Sequence, residues 1–182
     1  MTTARLVALL RARSVRQGEF VLSSGRRSSY YIDCRRTTMH AEGLTLIGTL
    51  GLAAIRDLTW RCGAVGGLTL GADPVAYAIA AASAAKPPLL HAFTVRKSAK
   101  AHGTGRRIEG CFDPGMSVVV VEDVITTGSS ALEAIAALQG EGARVSGVLS
   151  VVDREEGGRE AIEQTGIPVH SLVSVSALLG PA

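Results

Sequence analysis

Apolar and polar positions follow two rhythms along this chain. Near the start, Leu6, Leu9 and Leu10 fall at i, i+3 and i+4, so a short amphipathic helix is expected to pack against something larger. "EFVLSSGRRSSYYIDC" (19–34) reads as two short strands around a Ser/Gly/Arg turn, a hairpin. "AEGLTLIGTLGLAAIRDL" (41–58) has helical spacing, weakened by its three glycines. Then come "GAVGG", the helix "PVAYAIAAASAA", the strand "LLHAFTV" and the opening strand "SVVVV". The helix "SSALEAIAALQGEG", the strand "RVSGVLSVVD", the helix "EGGREAIEQTG" and the strand "PVHSLVSV" complete the pattern. Continuous apolar strands separated by helix-length connections are buried on both faces, so the chain is expected to be α/β, with a central, mainly parallel sheet flanked by helices. Ligands of such sheets bind beyond the carboxyl ends of the strands.

The chain has 182 residues, 47% of them hydrophobic, enough to bury a real core, and one domain over 1–182 is expected. Nineteen basic and sixteen acidic residues leave a formal charge of +3, too small for a dedicated nucleic-acid binder and compatible with an anionic small molecule. Cys34, Cys62 and Cys111 are odd in number, far apart and without CxxC spacing, which favours neither disulfides nor zinc and fits a reducing cytoplasm. "LVALL" is too short for a signal-peptide core, and no stretch approaches a membrane span, so a soluble protein with no membrane partner is expected.

Chemistry concentrates in "VVVVEDVITTGSS" (118–130). The apolar strand is expected to end at Val121 and deliver Glu122 and Asp123 to the edge of the sheet, while Gly128 and Ser129 open the next helix. Backbone N–H groups at a helix start, with the hydroxyls of Thr126, Thr127, Ser129 and Ser130, make a phosphate cradle. Carboxylates beside it would repel phosphate, so they must serve differently, either by accepting hydrogen bonds from a vicinal diol or by helping to position hydrated Mg²⁺. A buried strand followed by a Ser/Thr-capped helix explains a generic strand–turn–helix. Two adjacent acids and five consecutive cradle residues point further, to a ligand.

This stretch resembles the motif with which type I phosphoribosyltransferases bind 5-phosphoribosyl-1-pyrophosphate (PRPP). The resemblance implies that Glu122 and Asp123 face the ribose hydroxyls and that Thr126, Thr127, Gly128, Ser129 and Ser130 hold the 5-phosphate. It leaves the acceptor base open. Residues 96–107, "RKSAKAHGTGRR", carry five Lys/Arg, one His and two Gly and should form a mobile surface loop. Taken alone they read as a solvated basic face, but they are similar to the catalytic loop of orotate phosphoribosyltransferases, with Arg96, Lys97, Lys100 and His102 matching position by position. In that family the loop of one subunit completes its neighbour's site, so the resemblance implies a homodimer.

Further segments are similar to the same family: "FVLSSGRRSSYYIDCR" (20–35) to its hairpin beside the orotate ring, "GGLTLGADPVA" (66–76) to its pyrophosphate loop, and "VVDREEGG" (151–158) to the strand end whose arginine meets the orotate carboxylate. Arg154 is the candidate for that contact, with Thr126 beside it; without the resemblance it reads as a surface arginine paired with Glu155 or Glu156. The likeness covers roughly residues 18 to 175 and implies a type I phosphoribosyltransferase-like fold. Residues 1–38 would form a small N-terminal hood of helix plus β-hairpin, and 39–182 the PRPP-binding core. Some members carry lysines where this chain has Ser23 and Gly71, so no role of those lysines carries over. His40, His91 and His170 lie in or beside apolar segments and read as structural.

The implied activity is transfer of the phosphoribosyl group from PRPP to N1 of orotate, with Mg²⁺ as cofactor held mainly by PRPP and with Glu122 and Asp123 nearby. Lys100, His102 and Asp123 are the candidate catalytic residues, Lys100 and His102 acting on the leaving pyrophosphate and Arg96 and Lys97 anchoring it. A phosphoribosyltransferase for another base should lack the basic loop and the "DREE" strand end. A non-catalytic PRPP-sensing regulator should carry an added DNA-binding domain or a strongly basic face.

Overall fold

A computed structural model of the protein describes residues 2–21, 27–98 and 107–180. The amphipathic start folds as α1 (Thr3–Arg13), capped by the Thr2 hydroxyl, which accepts from the Arg5 amide, and it buries Leu6, Leu9 and Leu10. The hairpin is β1 (Val15–Val21) against β2 (Arg27–Ile32), antiparallel and with an irregular register between Gln17 and Phe20. A four-residue helix, α2 (Arg35–Thr38), too short for an apolar pattern to announce, leads into α3 (Ala41–Asp57). The remaining order is β3 (Ala64–Leu68), α4 (Ala72–Ala85), β4 (His91–Val95), β5 (Ile108–Gly110), β6 (Ser117–Ile125), α5 (Ser129–Gly140), β7 (Arg144–Asp153), α6 (Gly158–Glu163), β8 (Val169–Ser174) and α7 (Val175–Leu179).

The main sheet has the order β5-β4-β3-β6-β7-β8. Its neighbours pair in parallel except β5, which runs antiparallel to β4 at the edge. Successive side chains of a strand point to opposite faces, so "VVVV" feeds both layers of the core. Val119 and Val121 pack with Leu6, Ile47, Val75 and Ile79 on one side. Val118 and Val120 pack with Phe93, Ala134, Leu138 and Ile162 on the other.

The glycines of α3, which weaken its helix propensity, sit where neighbours come closest. A Cβ at Gly48 would stand 2.4 Å from the Ala78 carbonyl oxygen, and one at Gly51 would stand 2.9 Å from Ile79. Close approach of α4 therefore outweighs the propensity cost. The hood is tied to the rest by Arg11, which donates to the carbonyls of Leu178 and Ala177 at 2.7 and 2.8 Å, and by a buried Ser14–Thr37 hydroxyl pair at 2.7 Å. Among the described residues no helix is long and apolar enough to cross a membrane.

Candidate active site

The chain leaves β3 toward β4 on one side, while β6 flanks β3 on the other, so the order of the sheet reverses between β3 and β6. A crevice beyond the carboxyl ends of two such strands is where an open α/β sheet accepts a ligand. A cavity of about 360 Å³ lies there. Its borders are Tyr31 to Arg35 from the hood side, Leu68 to Gly71 after β3, Lys97, Glu122 to Val124 of β6, and Ser130 of α5.

Both acids lie inside β6 and not beyond its end, because the strand continues past the apolar run to Ile125. Strand pairing through Glu122–Ser150 and Val124–Val152 accounts for the extension. The two carboxyls consequently differ. Glu122 is buried, and its Oε1 has no hydrogen-bond partner among the described residues. Burial, followed by the neighbouring Asp123 charge, pushes its pKa up to about 8. Asp123 is less enclosed; burial raises its pKa too, opposed by the backbone amide of Val124, which donates to Oδ1 at 2.9 Å.

Beyond the acids, Thr126 and Thr127 lead to Gly128, which has φ +78° and stands at the start of α5 with no side-chain cap. A Cβ here would meet the Gly158 carbonyl oxygen at 2.7 Å, so the turn needs glycine both for its backbone angle and for the approach of α6. A groove lined by Glu122 and by Val124 to Ala131 runs along this turn, and Glu122 and Ser130 border groove and cavity alike. The acids and the cradle are thus one continuous site. The free N–H groups of the first turn of α5 give its far end a preference for an anion.

The loop after β3 is fixed by Asp73, which is buried and accepts from the hydroxyls of Thr69 at 2.7 Å and Thr94 at 2.9 Å. This clasp holds the β3–α4 loop to the end of β4, from which Arg96 and Lys97 emerge. Arg96 and Lys97 border a second recess with Thr69 and Leu70. Arg96 pairs with Glu109 at 3.3 Å, and Arg107 closes the base of the segment by donating to the Arg96 carbonyl and pairing with Glu133. Lys100, His102 and Ser23 lie outside the described residues.

Arg154 differs from both sequence expectations. It is buried rather than on the surface, its Nη2 lies 2.8 Å from Glu156 Oε1, and its guanidinium carbon stands 5.2 Å from the centre of the Tyr30 ring. Glu155 is turned away to α7, where it accepts from the Ser176 amide and hydroxyl at 3.0 and 3.1 Å. Arg154 does not border the cavity; it lies behind Tyr30 with Nε buried and without a hydrogen-bond partner among the described residues. Of the expected site residues, Lys97, Glu122, Asp123 and Ser130 meet at the cavity, and Thr126 to Ser129 line the joined groove.

Sequence reasoning passed over Asp33, Arg35 and Asp73. Asp73 offered a signal, an acid in the first turn of a helix following a glycine. The hood residues offered none, because only tertiary packing brings them to the sheet edge. Of the three histidines, His170 is half-buried on β8, and burial, then the nearby Arg159, lowers its pKa.

No family model matches the chain. Orotate phosphoribosyltransferase of Aquifex aeolicus is 48% identical over 178 residues, covering 96% of each chain. The crystal structure of Mycobacterium tuberculosis H37Rv orotate phosphoribosyltransferase in complex with Fe(III) dicitrate superposes with a TM-score of 0.86 at 49% identity, covering 97% of this chain and 98% of that one. The same enzyme in complex with PRPP gives 0.79 at 41% identity, covering 97% and 90%. A sheet reversed between β3 and β6, an acid pair joined to a glycine-built cradle, and near-complete alignment at this identity have one common explanation: the chain belongs to the orotate phosphoribosyltransferase family.

Proposed function

We propose that this protein transfers the 5-phosphoribosyl group of PRPP to N1 of orotate, giving orotidine 5-monophosphate and pyrophosphate, a step of UMP biosynthesis. The observation that carries this reading is the joined site: two carboxyls on β6 open into a cavity at one end and into the α5 cradle at the other. The cradle would take the 5-phosphate, and Asp123 with Glu122 the ribose hydroxyls. The protein must hold base and sugar in line, neutralise the departing diphosphate and exclude water while the ribose becomes oxocarbenium-like.

Lys97 and Arg96 lie next to the β3–α4 loop and would anchor the diphosphate, with Lys100 and His102 completing its shell and either able to donate a proton. Arg154, oriented by Tyr30 and Glu156, would receive the orotate carboxylate with Thr126 beside it, through the two parallel hydrogen bonds that a guanidinium offers. Mg²⁺ is the expected cofactor. The carboxyl oxygens of Glu122 and Asp123, with Glu122 Oε1 buried and unpartnered among the described residues, are of the hard type it accepts. No cluster of three or more His, Cys, Asp or Glu side chains that could hold a metal occurs among the described residues, so most of its ligands would come from PRPP. When bound, it spreads the diphosphate charge.

The reading includes a homodimer whose basic segments, 96–107, reach each other's sites, supported by the similarity of that segment to the family's loop. Hood and core, 1–38 and 39–182, would act as one domain, and the location would be cytoplasmic.

The test is the ultraviolet absorbance of orotate mixed with the purified protein, PRPP and Mg²⁺, against a control lacking PRPP. A fall that depends on both supports the reaction. No change in folded protein that still binds PRPP assigns another base or a sensing role.

A further inference from the structure

Position 71 gives this cavity no cation. A Cβ at Gly71 would stand 2.5 Å from Asp123 Oδ1, so the loop after β3 reaches the acid as bare backbone. Three acids, Asp33, Glu122 and Asp123, border the same space. The cations on its described border are Lys97, at the root of the basic segment, and Arg35, at the start of α2. Arg35 is not left loose. Its Nε donates to Asp33 Oδ1 at 2.9 Å, and its own backbone amide reaches the same oxygen at 3.3 Å. The guanidinium is half-exposed, so orientation has not been achieved by closing it off from solvent. Its charge reaches the acid pair: burial raises the Asp123 carboxyl, and the Arg35 guanidinium is among the groups opposing that rise.

A cation on a short, carboxylate-braced turn suits a multivalent anion better than a hydroxyl or a flat base, because a fork of N–H donors can engage two phosphate oxygens at once. We propose that Arg35 is a diphosphate-binding residue, supplying from the hood the fixed positive charge that Gly71 does not supply from the β3–α4 loop. The assignment rests on the phosphoribosyl-transfer reading above. It gives the hood a direct part in holding the leaving group, with Asp33 as the residue that positions the guanidinium.

The test uses the full chain with Arg35→Ala and Arg35→Lys, measuring KM for PRPP and for orotate, inhibition by inorganic pyrophosphate, and the thermal shift given by ribose 5-phosphate, which lacks the diphosphate. Arg35→Ala is expected to raise the PRPP KM and weaken pyrophosphate by about tenfold, the scale of one charge-assisted contact. Orotate KM and the ribose 5-phosphate shift should stay as in the parent. Arg35→Lys should recover part of the loss, keeping the charge without the fork. Unchanged pyrophosphate inhibition in Arg35→Ala overturns the assignment. So do equal losses for pyrophosphate and ribose 5-phosphate, the mark of a site damaged as a whole. Should the alanine variant be unstable, Arg35→Gln, polar and of similar reach, decides by the same criteria. A parent protein that folds but turns over no orotate with PRPP overturns the underlying reading as well; an active parent with unaffected variants overturns the Arg35 assignment alone.

Discussion

Gly71 and Asp123 are packed so that the first atom of any side chain at position 71 would stand 2.5 Å from Asp123 Oδ1. The backbone at Gly71 has φ −63° and ψ −41°, angles that alanine adopts without strain. Substitution there therefore acts through the carboxyl it displaces and not through the fold. Gly71→Ala is expected to leave the melting temperature close to that of the parent while kcat/KM for PRPP falls by about a hundredfold, the scale of a reacting geometry shifted by about an ångström. Kinetics beside a thermal melt separate the two effects. A loss of stability equal to the loss of activity would mean that Asp123 moves freely and that the contact merely supports the loop.

Arg154 makes a second separable case. It is buried against the Tyr30 ring at 5.2 Å and lies 2.8 Å from Glu156, so both its charge and its planar shape are engaged. Lysine keeps the charge but offers neither the stacking plane nor two parallel donors. Arg154→Lys should raise orotate KM by about tenfold, roughly one lost charge-assisted hydrogen bond. The PRPP KM should barely move, because the cradle and the acid pair are untouched. Steady-state kinetics with each substrate varied in turn checks this, and a larger effect on PRPP than on orotate would remove Arg154 from the base site.

Local pattern and tertiary structure divide the legible from the hidden. The hairpin, α3, α4 and the parallel strands follow from apolar spacing, because a chain that buries two faces of a sheet must write that burial into consecutive residues. The acids and the cradle are legible for the same reason: a strand, a glycine turn and a helix start are contiguous in sequence. β5 is not, since "IEG" is only three residues long and owes its pairing to Phe93 to Val95 across the edge. The end of β6 is hidden as well, because pairing with β7, and not hydrophobicity, carries that strand through Glu122 and Asp123 to Ile125. Arg154 reads as a surface residue beside two glutamates until Tyr30, from the distant hairpin, is folded over it. Arg35 and Asp73 likewise acquire meaning only from neighbours that the sequence does not place beside them.

Glu122 provides a prediction in pH. Its pKa is raised in the folded protein from the ordinary 4.5 to about 8, first by burial and then by Asp123. Between those values the folded state keeps a proton that the unfolded chain has lost. Unfolding then releases protons, so stability falls as pH rises through this window and levels off above about 8. Below 4.5 both states are protonated, and Glu122 withholds nothing from stability. Glu122→Gln removes the titration while keeping size and polarity. Its melting temperature should match the parent's near pH 4.5, exceed it progressively toward pH 8, and hold a constant margin beyond. At roughly 2–4 °C per kcal/mol for a chain of this size, the margin should reach a few degrees. Thermal melts of both proteins from about pH 4 to about pH 9, without PRPP or Mg²⁺, measure it directly. A margin that shrinks with rising pH would mean that Glu122 is stabilised as a carboxylate, and that some group other than a ribose hydroxyl is its partner in the folded protein.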